Sequence, residues 1–253
     1  MLKKKLKNNE LSIGSWITIG HTAVVDVMAS AGFDWLVVDL EHTSIDLNTA
    51  HNLIATIQSH GMKALVRVSK NEEVIIKKVL DMGADGIVVP MIKSKEDAQE
   101  AISYAKYPPV GNRGVGLFRA QKYGTGFDEY KKLVKDELVI IAQIEHFEAV
   151  DNIKEIITTD GIDGVIIGPY YLSGSMGYPG EYHRKEVKEG IAKVLRVCKE
   201  ENVPSGFHVI ESNPQKLQER IDEGCTFLAY SVDFFFLGDN ARDGMRKILG
   251  ENK

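Results

Sequence analysis

Short runs of consecutive apolar residues alternate with longer stretches in which apolar positions recur every three or four residues. The apolar runs occupy 13–19, 35–40, 64–68, 86–90, 138–144, 165–168, 205–209 and 227–232. They are largely continuous rather than apolar at every second position, as suits parallel strands covered on both faces. Between them, amphipathic spacing predicts helices over 47–59, 72–82, 95–104, 148–158, 185–200 and 214–223. Asp46, Asn71, Ser94 and Asn213 stand at N-cap positions, and Gly61, Gly83 and Gly224 follow helices as C-cap glycines do. Eight βα units in 253 residues fit a closed (β/α)8 TIM barrel of the α/β class, a single domain over 1–253. An open doubly wound sheet is the alternative, but no Gly-rich dinucleotide fingerprint or phosphate-binding P-loop favours it.

Several helix-to-strand junctions share one motif. Ala31-Gly32-Phe33-Asp34, Met82-Gly83-Ala84-Asp85-Gly86 and Asp160-Gly161-Ile162-Asp163-Gly164 are close copies, and Glu223-Gly224-Cys225-Thr226 is a looser one. They feed strands at the inert end of a barrel, so their aspartates read as structural. The segment 106–128 breaks the rhythm with Tyr-Pro-Pro, Arg-Gly-Val-Gly and Gly-Thr-Gly. A loop of that length reads as a lid, a binding loop or a subunit contact.

Composition narrows the partners. The net charge is −5, which gives no electrostatic case for nucleic acid. No apolar run approaches the ~20 residues of a membrane span, and no apolar stretch follows the first lysines as in a signal peptide. The two cysteines, Cys198 and Cys225, lack motif context and fit reduced thiols in a cytoplasmic protein. Lys3, Lys4, Lys5 and Lys7 read as a solvated basic tail.

Barrel enzymes work at the C-terminal ends of their strands. The second run ends in Asp39-Leu40-Glu41-His42, the third in Arg67, and the fifth in Gln143-Ile144-Glu145. The sixth ends in Gly168-Pro169, the seventh supplies His208, and the eighth Ser231 and Asp233. Glu145 suits a hard cation such as Mg²⁺ or Mn²⁺. Arg67 offers a fork of donors to a carboxylate or enolate oxygen. His42 titrates near neutrality and can move protons. Together these groups would stabilise the enolate of a 2-oxo acid. The plainer reading has Arg67 neutralising Asp39 or Glu41 at the barrel mouth. His21, His51, His60, His146 and His183 read as structural or surface residues.

Several motifs, in order, resemble the HpcH/HpaI aldolases: Ala-Gly-Phe-Asp-Trp-Leu-Val-Val-Asp-Leu-Glu-His (31–42), Leu-Val-Arg-Val (65–68) and Val-Val-Pro-Met (88–91). Tyr-Pro-Pro-Val-Gly-Asn-Arg-Gly-Val-Gly (107–116), Gln-Ile-Glu (143–145) and Ile-Gly-Pro-Tyr-Tyr-Leu-Ser (167–173) follow. The likeness runs from Gly14-Ser15-Trp16 to Asp233. It implies a barrel of the phosphoenolpyruvate/pyruvate-superfamily type and a class II aldolase that reversibly splits a 4-hydroxy-2-oxo acid into pyruvate and an aldehyde. It also implies His42 as acid/base, Arg67 as binder of the pyruvyl oxygens, Asp39 as support on the histidine side, and Glu145 as metal ligand. Gln143, Gly168 and Pro169 would line the pyruvate pocket, with Trp16, Tyr170 and Tyr171 also substrate-binding. The aldehyde itself is not named by the sequence; its recognition would depend on loop residues such as Phe118, Arg119 and the Gly-Thr-Gly region, and on a neighbouring subunit. A homo-oligomer, trimer or hexamer, is implied, with the last helix packed on a neighbour.

One position departs from that pattern. Tyr171 stands where the family carries a second metal-binding aspartate, and a neutral phenol is a poor Mg²⁺ ligand. Three readings follow: an aldolase with weakened metal dependence, altered or metal-independent lyase or synthase chemistry, and a ligand-binding homologue without turnover.

Overall fold

The eight apolar runs form eight parallel strands that close on themselves. In a computed structural model they are β1 (Ser12–Ile17), β2 (Trp35–Asp39), β3 (Lys63–Arg67), β4 (Gly86–Val89), β5 (Val139–Ile144), β6 (Gly164–Ile167), β7 (Ser205–Val209) and β8 (Phe227–Val232), in sequential order around the barrel. This excludes the doubly wound alternative. The structure describes residues 1–250, so the last three positions of the single-domain assignment, 251–253, lie outside the described residues.

Helices alternate with the strands. The first six are α1 (Leu2–Lys7), α2 (Thr22–Ala29), α3 (Leu47–Ser59), α4 (Glu73–Asp81), α5 (Lys95–Ala105) and α6 (Phe127–Asp136). The others are α7 (Phe147–Asp151), α8 (Ile153–Ile157), α9 (Pro169–Ser175), α10 (Lys185–Glu200), α11 (Pro214–Asp222) and α12 (Asp233–Leu249). Asp46, Ser94 and Asn213 cap α3, α5 and α11 through side-chain oxygens, as their positions predict. Asn71 does not cap α4. Glu72 holds that position, and the Asn71 amide donates to the Asp97 carbonyl instead. The helix expected over 148–158 is broken at Asn152, whose amide is drawn to the Lys93 carbonyl. None of the helices among the described residues is long and apolar enough to cross a membrane.

The junction aspartates are structural. Asp34 accepts from the Ile13 amide, Asp85 from Ala64 and Asp163 from Ile140. Each aspartate thereby ties the start of its own strand to the start of the strand before it, which fixes the register where a parallel ladder begins.

Apolar side chains fill two regions. One lies between the strands and the helical ring. The other is the barrel interior, where Trp35 stacks on Phe227 at 4.4 Å between ring centroids. Gly14 is required there, because a Cβ would collide with the Trp35 indole. Leu2 and Leu6 join this interior cluster, so α1 plugs the N-terminal mouth.

That corrects the expected solvated tail. Lys3 is buried; its Nζ donates to the Leu138 carbonyl at 2.6 Å and pairs with Asp163 at 3.0 Å. The long segment is also not a lid over the C-terminal mouth. Arg113 is buried against Asp81 and the Tyr130 hydroxyl, and a 3-10 turn at Arg119–Gly124 leads into α6.

Replacing Lys3 by Met strands Asp163 in a buried position. Urea unfolding should show a loss of about 3 kcal/mol, whereas Lys4→Met, on the exposed side of the same helix, should change stability by less than about 0.5 kcal/mol.

Candidate active site

Parallel pairing sets Asp39 of β2 beside Arg67 of β3. The two ends meet in a bidentate ion pair, Nε to Oδ1 at 2.8 Å and Nη2 to Oδ2 at 2.7 Å. Asp39 is buried, and burial alone would raise its pKa. The hydrogen bonds and charge of Arg67, with the amides of Glu41 and His42, outweigh burial and hold the carboxyl below its usual range. Burial likewise opposes the Arg67 charge, but Asp39, Glu41 and Glu145 raise its pKa on balance. The Trp16 ring lies under the guanidinium, 4.5 Å from Cζ to centroid. Nη1, 3.3 Å from Glu41, and one Nη2 hydrogen remain for a ligand.

Asp39 has a second effect. Its Oδ1 accepts from the Glu41 amide at 3.0 Å and the His42 amide at 3.4 Å. This turns the chain at the end of β2 and sets His42 at the mouth. Asp39 does not line the cavity described below; it stands behind it, holding Arg67 and the His42 turn, on the histidine side where support was expected.

At the C-terminal end of β5, where the chain is still extended, residues two apart share a face. Gln143 and Glu145 accordingly meet, the Gln143 amide donating to Glu145 Oε2 at 2.5 Å. Glu145 Oε1 accepts from the Met91 amide at 2.8 Å. Burial raises the pKa of Glu145 more than these bonds lower it.

Gly168 caps α9 at its N-terminus and Pro169 occupies its first turn, so the segment after β6 is a short helix. It carries Tyr170 and Tyr171. The Tyr171 hydroxyl lies 2.5 Å from His42 Nε2, with the two rings stacked at 5.1 Å. Burial, then Arg67, lowers the His42 pKa; burial, then Glu41, raises that of Tyr171. The phenol is therefore protonated and the imidazole neutral at neutral pH, so Tyr171 donates to His42.

These groups surround a cavity of about 250 Å³. Trp16, His42, Arg67, Gln143, His208, Ile210 and the stretch from Ile166 to Tyr171 line it. The residues expected around the pyruvate pocket, Trp16, Gln143, Gly168, Pro169, Tyr170 and Tyr171, are all on that wall, and His42 and Arg67 join them. Trp16 Nε1, Gln143 Oε1 and His208 Nε2 are buried without partners. Burial, reinforced by Arg67, presses the His208 pKa down to about 3, so its ring is neutral.

Asp233 lies elsewhere, accepting from the amides of Thr18 and Ile19. Arg119 is also remote within the chain. It donates to Gln58 and to the Met82 carbonyl, at helix ends on the N-terminal side, which removes the aldehyde role expected for this loop from its own subunit's site. Ile210 was legible as the residue two beyond His208. The Met91 amide was not, because nothing in the sequence assigns a backbone donor at φ 55° to a carboxylate 54 residues away.

A hard dication takes about six oxygen ligands, carboxylates foremost. Here Glu145 already accepts two hydrogen bonds, Asp39 is paired with Arg67, and Tyr171 is a protonated phenol bonded to His42. This leaves Glu41, with one buried oxygen lacking a hydrogen bond, as the remaining carboxylate. Among the described residues, no group of three or more His, Cys, Asp or Glu side chains is placed to hold a metal ion. Too few free carboxylates converge here to hold Mg²⁺ or Mn²⁺ by protein ligands alone.

Comparison with known proteins bears on this site. The family model described as HpcH/HpaI aldolase/citrate lyase matches residues 12–238. The chain is 32% identical over 236 residues to the hydroxypyruvate/pyruvate aldolase of Roseobacter denitrificans, covering 93% of this chain and 91% of that one. It is 32% identical over 239 residues to the 2-keto-3-deoxy-L-rhamnonate aldolase of Escherichia coli K12, covering 94% and 88%. A solved HpcH/HpaI aldolase/citrate lyase family protein from Burkholderia cenocepacia J2315 superposes with a TM-score of 0.92 at 27% identity, covering 98% of each chain.

Arg67→Gln should destabilise the protein by about 3–5 kcal/mol, because Asp39 is left buried and unpaired. Adding Asp39→Asn should recover more than half of that loss in denaturant melts. In the single variant, NMR titration should find the His42 pKa raised, since a nearby positive charge is gone.

Proposed function

The chain belongs to the HpcH/HpaI aldolase/citrate lyase family, and from that premise we propose that it reversibly cleaves a 4-hydroxy-2-oxo acid into pyruvate and an aldehyde. The observation that carries this reading is the set of unpaired buried atoms, Trp16 Nε1, Gln143 Oε1 and His208 Nε2, on the wall of one cavity beside Arg67. Each such atom costs roughly 1–3 kcal/mol when left without a partner. A small ligand with donors and acceptors, such as a 2-oxo acid, relieves that cost.

In the cleavage direction, neutral His42 takes the proton of the substrate 4-hydroxyl, directly or through the Tyr171 hydroxyl. The C3–C4 bond breaks, the aldehyde leaves, and the electron pair passes into the enolate of pyruvate. The free N–H groups of Arg67 hold the enolate oxygen. The protonated His42 then returns its proton to C3, giving pyruvate, so no proton is consumed overall. Trp16 and Asp39 keep the guanidinium in one plane. Glu145 orients the Gln143 amide so that Oε1 is left for the ligand.

This route assigns the electrostatic role to Arg67 and the Tyr171–His42 pair rather than to Mg²⁺ or Mn²⁺. Tyr171 also favours a second reading, in which the same enolate is captured by a different acceptor in a synthase reaction. We further read the protein as a cytoplasmic homo-oligomer, trimer or hexamer. The exposed Leu237, Met245, Ile248 and Leu249 support packing of α12 on a neighbouring subunit, and the buried free thiols of Cys198 and Cys225 fit a reducing compartment.

Exchange of the pyruvate methyl protons in D₂O, followed by proton NMR, tests the enolate step. Exchange should proceed in EDTA, and His42→Ala should slow it by about 10²- to 10⁴-fold. No exchange in EDTA or with added Mg²⁺, Mn²⁺ or Co²⁺ would sink the enolate mechanism. Because His42 must be neutral to accept a proton, the rate should fall as pH drops through a pKa below 6.5.

Tyr171→Asp restores the family carboxylate. Its Mn²⁺ affinity, read by calorimetry, should rise by roughly tenfold or more over the parent protein, the gain expected for an added charged oxygen ligand.

A further inference from the structure

A second and larger cavity, of about 790 Å³, opens at the other end of the barrel. It lies between α1, the turn that follows α5, the last turns of α6, and the loops entering β6 and β7. The reaction uses none of these residues.

The charge here runs against the rest of the molecule. Five lysines line the cavity (Lys3, Lys7, Lys106, Lys131 and Lys135) against two aspartates, Asp160 and Asp163. Five positive minus two negative charges leave +3, in a chain whose net charge is −5. Only Lys3 is neutralised, by Asp163. Among the described residues, no carboxylate forms an ion pair with Lys7, Lys106, Lys131 or Lys135.

Lys106 is the informative member. It is only 7% exposed, so it does not extend its ammonium into solvent as a surface lysine does. Its Nζ bonds a neutral group, the Val134 carbonyl, at 2.6 Å. An ammonium has three donors, so two remain. Burial, then the charge of Lys3, brings its pKa down to about 8. Asp163 and Asp136 pull the other way, but neither forms an ion pair with it. A buried ammonium with no ion-pair partner is unfavourable, and an anion in the cavity relieves that cost. Leu6, Pro108, Val110, Ile162 and Pro204 supply apolar wall beside the charge.

We propose that this cavity binds a small organic anion, an apolar body bearing a carboxylate or phosphate group, with Lys106 as the inner contact and Lys131 and Lys135 at the rim. The site is separate from the proposed aldolase chemistry and does not depend on it.

The test uses the full chain and the dye 8-anilinonaphthalene-1-sulfonate, an aromatic body with one sulfonate, in a fluorescence titration at low salt. Saturable binding is expected, undisturbed by excess pyruvate. Lys106→Met should weaken it by roughly tenfold or more, the order expected when a desolvated charge loses its partner. Competition by benzoate against phenyl phosphate then tells a carboxylate ligand from a phosphate one. Lys131 and Lys135 are exposed, so the Lys131→Glu/Lys135→Glu variant keeps the fold, checked by circular dichroism, and decides the matter should Lys106→Met unfold. Weakening of about fivefold or more in that variant supports the site. A smaller change there, displacement by pyruvate, or no saturable binding overturns it.

Discussion

The bidentate pair between Asp39 and Arg67 is the constraint on which the rest of the mouth depends. It is made by strand register: β2 and β3 run parallel with these two residues opposite each other. A guanidinium this deeply buried would otherwise be pressed toward losing its charge, and the buried carboxylate keeps it cationic. The same carboxylate accepts from the Glu41 and His42 amides. One side chain thus sets both the cation that faces the cavity and the turn that presents the histidine. Trp16 completes the arrangement by fixing the guanidinium plane from below.

Given that frame, the chemistry at the mouth turns on charge number. Among the described residues no cluster of three or more ligating side chains turns toward one point, and most of the carboxylates at the mouth have partners. Asp39 serves Arg67, while Glu145 serves Gln143 and the Met91 amide. The phenol at position 171 adds no charge, and its proton goes to His42. A tyrosine in place of an aspartate therefore does more than remove a ligand. It gives the neutral histidine a donor partner within a short hydrogen bond.

The two ends of the barrel are built from opposite electrostatics. At the C-terminal mouth a single arginine stands among three carboxylates. At the N-terminal mouth lysines outnumber aspartates, and α1 closes the opening with Leu2 and Leu6 packed into the interior and Lys3 tied to Leu138 and Asp163. The junction aspartates Asp34, Asp85 and Asp163 hold alternate strand pairs in register there. Any ligand at that end meets a rigid rim, because the same residues anchor the strands.

Much of this was legible in the chain. Continuous apolar runs marked all eight strands, since a strand covered on both faces has no polar side to interrupt it. Asp46, Ser94 and Asn213 announced the helix starts because a cap acts on amides only two or three residues away. Strand-end position singled out His42, Arg67 and Gln143, which share one cavity. What the sequence could not decide were relations across distance. Lys3 reads as a tail residue until Leu138 and Asp163, 135 and 160 positions away, are brought to its ammonium. Tyr171 reads as a missing ligand until barrel closure sets it against His42, 129 residues earlier. Asp39 reads as support for the histidine alone until the register with β3 gives both its oxygens to Arg67. Periodicity and capping are local and can be read from neighbours in the chain. Burial, ion pairing and the direction of a proton depend on which distant groups share a low-dielectric space, and only the closed barrel determines that.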